Sequence, residues 1–270
     1  MDILLFDVVK IVFSLGVLFY ASWSDFKTRE VSNKVWVFYA PVALLLSLTQ
    51  LLFYNFSQLP LYGLSFGVTA GISLLLFYSG VFGGADSKAL MCLGLALPFA
   101  PVALFDSIIA QSISPISEII FPITILSNGV LFAAASGIYM VLRNFVWHKK
   151  SKQIMFPGSL SQESFGKKML VLITGYKMDI AKVKAKWHLF PMEDIVDSAN
   201  TTRKLVIIPQ DEGREKIVER LSESVQAKKI DRYIWTTPGL PMLIFITLGL
   251  VVALVFGDVI WSLIRLVLGS

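Results

Sequence analysis

The sequence predicts an all-α polytopic membrane protein with six transmembrane helices and a small α+β cytoplasmic module between helices five and six. Three observations carry this prediction. Hydrophobic residues make up 55% of the 270 and charged residues 16%, and the mean hydropathy of +0.70 lies beyond that of water-soluble domains. Six apolar runs approach or reach the ~20 residues that a helix needs to cross a hydrocarbon core of about 30 Å. Finally, 18 of the 24 Lys and Arg residues fall between Arg143 and Arg232, so a polar insert interrupts a chain otherwise almost bare of positive charge. The expected division is 1–143 for helices one to five, 144–233 for the module and 234–270 for helix six.

The first run is Leu4 to Trp23 and the second Val35 to Tyr54. The third, Leu59 to Phe82, carries Gly63, Gly67, Gly71 and Gly80, a small-residue spacing that permits close helix contact. The fourth, Ala89 to Phe105, holds Pro98 and Pro101 and is expected to kink or to reach only part of the way across. The fifth covers Ile119 to Leu142. The sixth starts after the Pro238-Gly239-Leu240-Pro241 turn and continues to Gly257 or beyond, past Asp258. Trp23-Ser24-Asp25-Phe26 has no small-residue site at which a signal peptidase would act, so the first run is expected to stay as a helix.

Orientation follows from the positive charges, which favour the cytoplasmic side. Lys27, Arg29, Lys34, Lys88 and Arg143 with the insert follow helices one, three and five, whereas Asn55 to Gln58 and Asp106 to Glu118 contain no Lys or Arg. The chain is therefore expected in the cell membrane with its amino terminus outside and the module in the cytoplasm. Lys10 lies three residues from Asp7, on one helix face, and is expected to form a buried or snorkelling ion pair.

Within the insert, Met169 to Thr174 and Leu205 to Ile208 are short β-branched-rich runs ended by Gly175 and Pro209, and they read as strands. Asp211 to Lys229 opens acidic, closes with Lys228-Lys229 and spaces Ile217, Leu221 and Val225 at i, i+4 and i+8. That pattern predicts an amphipathic helix whose charges suit its dipole. With 18 basic and 11 acidic residues from Arg143 to Arg232, the module carries +7. No nucleic-acid-binding signature accompanies that charge, so anionic lipid headgroups are the expected partner and nucleic acid is not. One cysteine, Cys92, excludes an internal disulfide and a four-thiolate zinc site, and His148 and His188 stand too far apart in sequence for a metal-ligand spacing. No metal or other cofactor is expected.

Eight carboxylates lie outside the insert. Asp2, Asp7, Asp106, Glu118 and Asp258 fall toward the outer side of the expected topology, and Asp25, Glu30 and Asp86 toward the cytoplasmic side. Asp25 ends helix one, and Asp86 follows helix three in Gly83-Gly84-Ala85-Asp86. Two aspartates at one membrane face can do general acid/base work on water. One is ionised and takes a proton, while its neighbour is protonated and polarises a carbonyl, their repulsion splitting the two pKa values. Each also has a plainer reading, Asp25 as a loop charge balanced by Lys27 and Arg29, and Asp86 as a helix cap. Gly83-Gly84 before the second carboxylate allows unusual dihedrals and close approach, but a phosphate loop would need a Lys-Ser/Thr that is missing.

These two segments resemble the archaeal preflagellin and prepilin peptidases, membrane aspartyl proteases with a Gly-x-Gly-Asp motif. The first family element, an aspartate followed eight residues later by asparagine, reads Asp25-Phe26-Lys27-Thr28-Arg29-Glu30-Val31-Ser32-Asn33. The second reads Gly83-Gly84-Ala85-Asp86-Ser87-Lys88, with alanine replacing the motif's second glycine. The resemblance extends to the six-helix plan, the module between helices five and six and Trp235-Thr236-Thr237-Pro238 before the last helix.

The resemblance implies removal of a short basic leader from preflagellins and prepilin-like precursors at the cytoplasmic face, with Asp25 and Asp86 as the catalytic pair and Gly83, Gly84, Ala85, Lys88 and Asn33 as supporting motif residues. The bacterial relatives' Cys-x-x-Cys pairs and methylation step are not expected. In the substrate-free protein the aspartates are expected near one membrane face yet apart, the Gly83-Gly84 loop closing when precursor binds. A small transporter, an intramembrane protease of the presenilin type and a non-enzymatic membrane adaptor are the other readings. Inverted repeats are not evident, and Asp25 ends a helix instead of lying within one.

Overall fold

The computed structural model describes residues 3–101, 114–197, 202–207, 213–238 and 241–268. The helices are α1 (Ile3–Thr28), α2 (Asn33–Tyr54), α3 (Leu59–Tyr78), α4 (Gly84–Ala96), α5 (Pro115–Ile119), α6 (Phe121–Ser151), α7 (Phe165–Thr174), α8 (Ile180–Ala185), α9 (Arg214–Gln226), α10 (Met242–Phe256) and α11 (Val259–Leu268). The strands are β1 (Tyr176–Asp179), β2 (Phe190–Pro191), β3 (Glu193–Asp197), β4 (Thr202–Leu205) and β5 (Tyr233–Thr237). The chain forms two compact units, Met1–Ala133 with Pro241–Ser270, and Ala134–Leu240.

Four helical stretches of the described residues are long and apolar enough to cross a membrane: α1, α2, Phe56–Tyr78 and α6. The pair α10 and α11, bent by 59° at Gly257-Asp258, would make a fifth as one broken span. The expected fourth span is represented by α4, whose 13 residues rise only about 20 Å; residues 102–105 lie outside the described residues. Its end has a clear cause. Leu97 precedes Pro98, which disfavours helical backbone there. The carbonyls left unpaired accept bonds from hydroxyls on neighbouring helices, Ser47 Oγ to Leu95 O at 2.7 Å, Tyr62 Oη to Leu95 O at 3.3 Å and Ser65 Oγ to Pro98 O at 2.9 Å.

The core of the first unit gathers Leu18, Ala21, Tyr39, Leu90, Leu93, Phe121, Ile125, Leu243, Ile246 and Leu250, while large apolar side chains such as Phe19, Phe38, Leu45 and Phe53 face outward, as a lipid solvent allows. The α3 glycines do not act as expected. A Cβ at Gly63, Gly67 or Gly71 would meet nothing within 4 Å among the described residues, because α3 buries Ser65, Thr69 and Ser73 on its other face. Close approach occurs elsewhere. A Cβ at Gly94 would lie 3.0 Å from Thr69 Cγ2, one at Gly129 would lie 2.8 Å from the Phe245 carbonyl, and one at Gly249 would collide with the Ile125 carbonyl. The Lys10 ammonium is buried 3.1 Å from Asp7 Oδ1, which also accepts from Gln50 Nε2 at 2.9 Å, in line with the expected ion pair.

In the second unit β5 lies between β1 and β2, both antiparallel to it, and β3 pairs with β4. Met169 to Thr174, expected as a strand, forms the second half of α7. Ser164 Oγ caps that helix by accepting from Lys167 N, and apolar residues occupy both of its faces, which blurs the period that separates helix from strand. The second expected strand is shifted, β4 ending at Leu205, with Ile208 outside the described residues. The amphipathic helix appears as α9, with Leu221 at its buried centre; Asp211 lies outside the described residues. Several of the basic residues are structural. Arg203 meets Glu193 at 3.3 Å in the interior, Arg220 bonds both Asp194 oxygens, and Arg214 donates to the carbonyls of Val183, Lys186 and Leu189.

Candidate active site

Asp25 lies in the last turn of α1, not at its end, since the helix continues to Thr28. Arg29 then takes a left-handed conformation, φ 58°, and its N–H closes on Asp25 O at 2.8 Å. That position usually holds glycine. Hydroxyls supply the compensating bonds, as Ser24 Oγ donates to Glu30 O at 2.8 Å and Thr28 Oγ1 to Ser24 O and Glu30 O. The chain turns at once into α2, whose cap is Ser32 and whose first residue is Asn33.

Asp86 sits in the first turn of α4, ahead of the apolar run that begins at Ala89. Gly83 N donates to Asp86 Oδ2 at 3.0 Å, so the carboxylate does serve as a cap, accepting from the residue before the helix. Gly83 has ordinary extended backbone, φ −72° and ψ 163°, so an unusual dihedral is not why a glycine stands there. Space is the reason, because a Cβ on it would lie 3.2 Å from that same Asp86 oxygen. Gly84 and Ala85 are the first helical residues, and Ala85 packs against the core. Alanine is the better helix former at such a position, which accommodates the departure from the motif's second glycine.

The backbone amide of Leu243, at the start of α10, also acts on the Asp86 carboxyl. Nothing in the motif pointed to this residue; the signal was Pro241, which marks a helix start whose free amides must face something. Ser22 Oγ and Thr247 Oγ1 meet at 2.8 Å and join α1 to α10, one turn from Asp25 and one turn from Leu243 respectively. Burial raises the Asp86 pKa to about 7 and the Asp25 charge adds to the rise, while the Gly83 and Leu243 amides oppose it. The Lys88 ammonium, two residues from Asp86, goes to neither aspartate. It donates to Asn33 Oδ1 at 2.7 Å, joining the two motif segments directly.

Among the described residues no group of three or more His, Cys, Asp or Glu could hold a metal ion.

Residues 12–142 match the type IV leader peptidase family, and residues 167–259 match the archaeal peptidase A24 C-terminus, type II. A preflagellin peptidase of Methanococcus voltae is 27% identical over 259 residues, covering 94% of this chain and 98% of that protein. A preflagellin peptidase of Methanocaldococcus jannaschii is 25% identical over 270 residues, covering 96% and 98%. One from Methanococcus maripaludis is 24% identical over 250 residues, covering 92% and 94%.

Proposed function

This chain belongs to the type IV leader peptidase family, and from that premise we propose that it is a membrane aspartyl endopeptidase that removes the leader peptide from preflagellins and related type IV pilin-like precursors. The observation that carries the catalytic assignment is the setting of Asp86, half enclosed at the start of α4 with the Asp25 charge acting on it.

A carboxyl raised to about 7 keeps its proton near neutrality and can donate it, whereas its neighbour at the end of α1 can stay ionised. In the proposed reaction the Asp25 carboxylate takes a proton from water as the oxygen attacks the scissile carbonyl, and the Asp86 acid donates a hydrogen bond to that carbonyl as negative charge develops. The tetrahedral intermediate collapses as the leaving amine takes up a proton from Asp25, and the C–N bond breaks. No metal, S-adenosylmethionine or other cofactor enters the balance.

The place of the reaction follows from the precursor's own chemistry. A basic leader remains in the cytoplasm while the following apolar segment enters the bilayer, so the scissile bond lies at the cytoplasmic interface. The helix ends and the turn bearing Lys27, Arg29, Lys34 and Lys88 belong on that side by their charge, with the amino terminus outside and the module in the cytoplasm. Membership in a peptidase family disfavours a transporter or a non-enzymatic adaptor. The test is cleavage of a preflagellin by the full-length protein in liposomes, scored by the mobility shift of the product. Asp25→Asn and Asp86→Asn should each abolish the shift with the protein still folded, and wild-type turnover by Asp86→Asn would dismiss the aspartyl mechanism.

A further inference from the structure

The two proposed catalytic aspartates stand on α1 and α4, and α10 packs against both helices. Along its seam with α1 the side chains are largely apolar, Leu18 and Ala21 sharing one core with Leu243, Ile246 and Leu250. Such contacts favour no single register strongly, because one methyl group replaces another along the axis, and within a bilayer no hydrophobic gain drives two helices together. A directional bond fixes the register better.

Ser22 and Thr247 supply one. Both are buried, and their hydroxyl oxygens lie 2.8 Å apart. The order of the protons follows from the neighbours. Thr247 has a single hydroxyl proton, which goes to Leu243 O at 2.8 Å, the Leu18 carbonyl at 3.5 Å being the poorer acceptor. Ser22 is therefore the donor to Thr247 Oγ1, and the bonds run from α1 into the first turn of α10. Both ends lie close to the chemistry. Ser22 precedes Asp25 by three residues and shares its side of α1, while Leu243 carries the amide that acts on the Asp86 carboxyl.

We propose that Ser22 and Thr247 are positioning residues of the peptidase site, their bond setting the register of α1 on α10 and with it the placement of Asp25 relative to Asp86. The inference rests on the peptidase reading. A slip of one residue along the seam would move Asp25 by about 1.5 Å, and a misplacement of about 1 Å is enough to cost on the order of 100-fold in rate.

The experiment uses the full-length protein in liposomes with a preflagellin as substrate. Thr247→Val keeps the shape of the side chain and removes the bond, and Ser22→Ala removes its donor. Each should lower kcat about tenfold with KM within about twofold of wild type, and Thr247→Ser should restore most of the loss. Unchanged kcat would overturn the proposal, and so would a raised KM alone, which would place the hydroxyls against the precursor.

A second arm needs no substrate. The charged groups around Asp86 are Asp25 and Arg29 at the end of α1 and Lys88, which is bound to Asn33 at the start of α2; α3 and α10 carry none. Thr247→Val leaves all of these in place and lets the Leu243 amide draw back from the carboxyl. The pH range over which Asp86→Asn gains stability on its parent, read by thermal unfolding in nanodiscs, should then extend upward by about half a pH unit in the Thr247→Val background. A range that stays in place, or no such range, overturns the proposal whether or not preflagellin is cleaved, whereas a wild type without cleavage speaks against the peptidase reading alone.

Discussion

The Lys88 ammonium donates to the Asn33 amide oxygen at 2.7 Å, although the Asp86 carboxylate is two residues away. Charge would favour the aspartate, so the contact is best understood as a strut between the start of α2 and the start of α4, the two helices that follow the proposed catalytic residues or carry them. Lys88→Met should therefore lower kcat about 10- to 100-fold with KM nearly unchanged, the penalty for misplaced catalytic groups. Asn33→Asp keeps an acceptor for Lys88 and should retain most activity, whereas Asn33→Leu should match Lys88→Met, and the double variant should be no worse than either. Multiplying losses in the double variant would show that the two residues act separately.

The setting of Asp86 also makes stability depend on pH. Its folded pKa of about 7 lies above the ordinary 3.8, so the folded protein binds more protons between these values, and stability falls as pH rises through that window and levels off above it. Asp86→Asn removes the ionisation. Thermal unfolding in nanodiscs should show the variant gaining on wild type from about pH 4 to pH 7, by on the order of 1–3 kcal/mol at the upper end. Parallel curves for the two proteins would mean that the carboxyl titrates normally.

At Gly83 an added methyl would press on Asp86 Oδ2 from 3.2 Å. Gly83→Ala should reduce kcat by about tenfold or more with little change in unfolding temperature, since its backbone conformation suits alanine. A variant as active as wild type would show that the carboxyl can move aside without cost.

Gly249→Ala should be damaging for a different reason. Its new Cβ would collide with the Ile125 carbonyl, and backbone cannot rotate away as a side chain can. A loss on the order of 2 kcal/mol or more is expected from overpacking, read as a lower unfolding temperature and as lower yield in the membrane. An unchanged unfolding temperature would place α6 and α10 farther apart.

Turnover should persist in excess EDTA and without S-adenosylmethionine, and the mature product should keep an unmethylated amino terminus by mass spectrometry. Inhibition by EDTA reversed by zinc would require a metal in the proposed reaction.

Much of the site was legible because the motifs are local. Asp25, Asp86 and Gly83 stand out by their placement at helix ends, and Asn33 and Lys88 by the resemblance alone. The Lys88 to Asn33 bond and the Leu243 amide were not legible, since each joins segments distant in the chain and neither uses a charge pair that a sequence advertises. The apolar runs marked the long helices well, because lipid exposure keeps every face apolar. That same feature hid which glycines mattered: the regular spacing in α3 points outward, while single glycines at 94, 129 and 249 make the close contacts. In α7, apolar residues on both faces mimicked a buried strand, and only its capping serine and its place beside α6 mark it as a helix.

The hydroxyls of Ser47, Tyr62 and Ser65 fasten the carboxyl end of α4 to α2 and α3. The Lys88 to Asn33 bond braces the other end of the same helix against α2, so α4 is held at both ends. If a precursor draws the two aspartates together, the give would have to come from the turns beside them, at Gly80 with φ 75° before α4 and at Arg29 with φ 58° after α1.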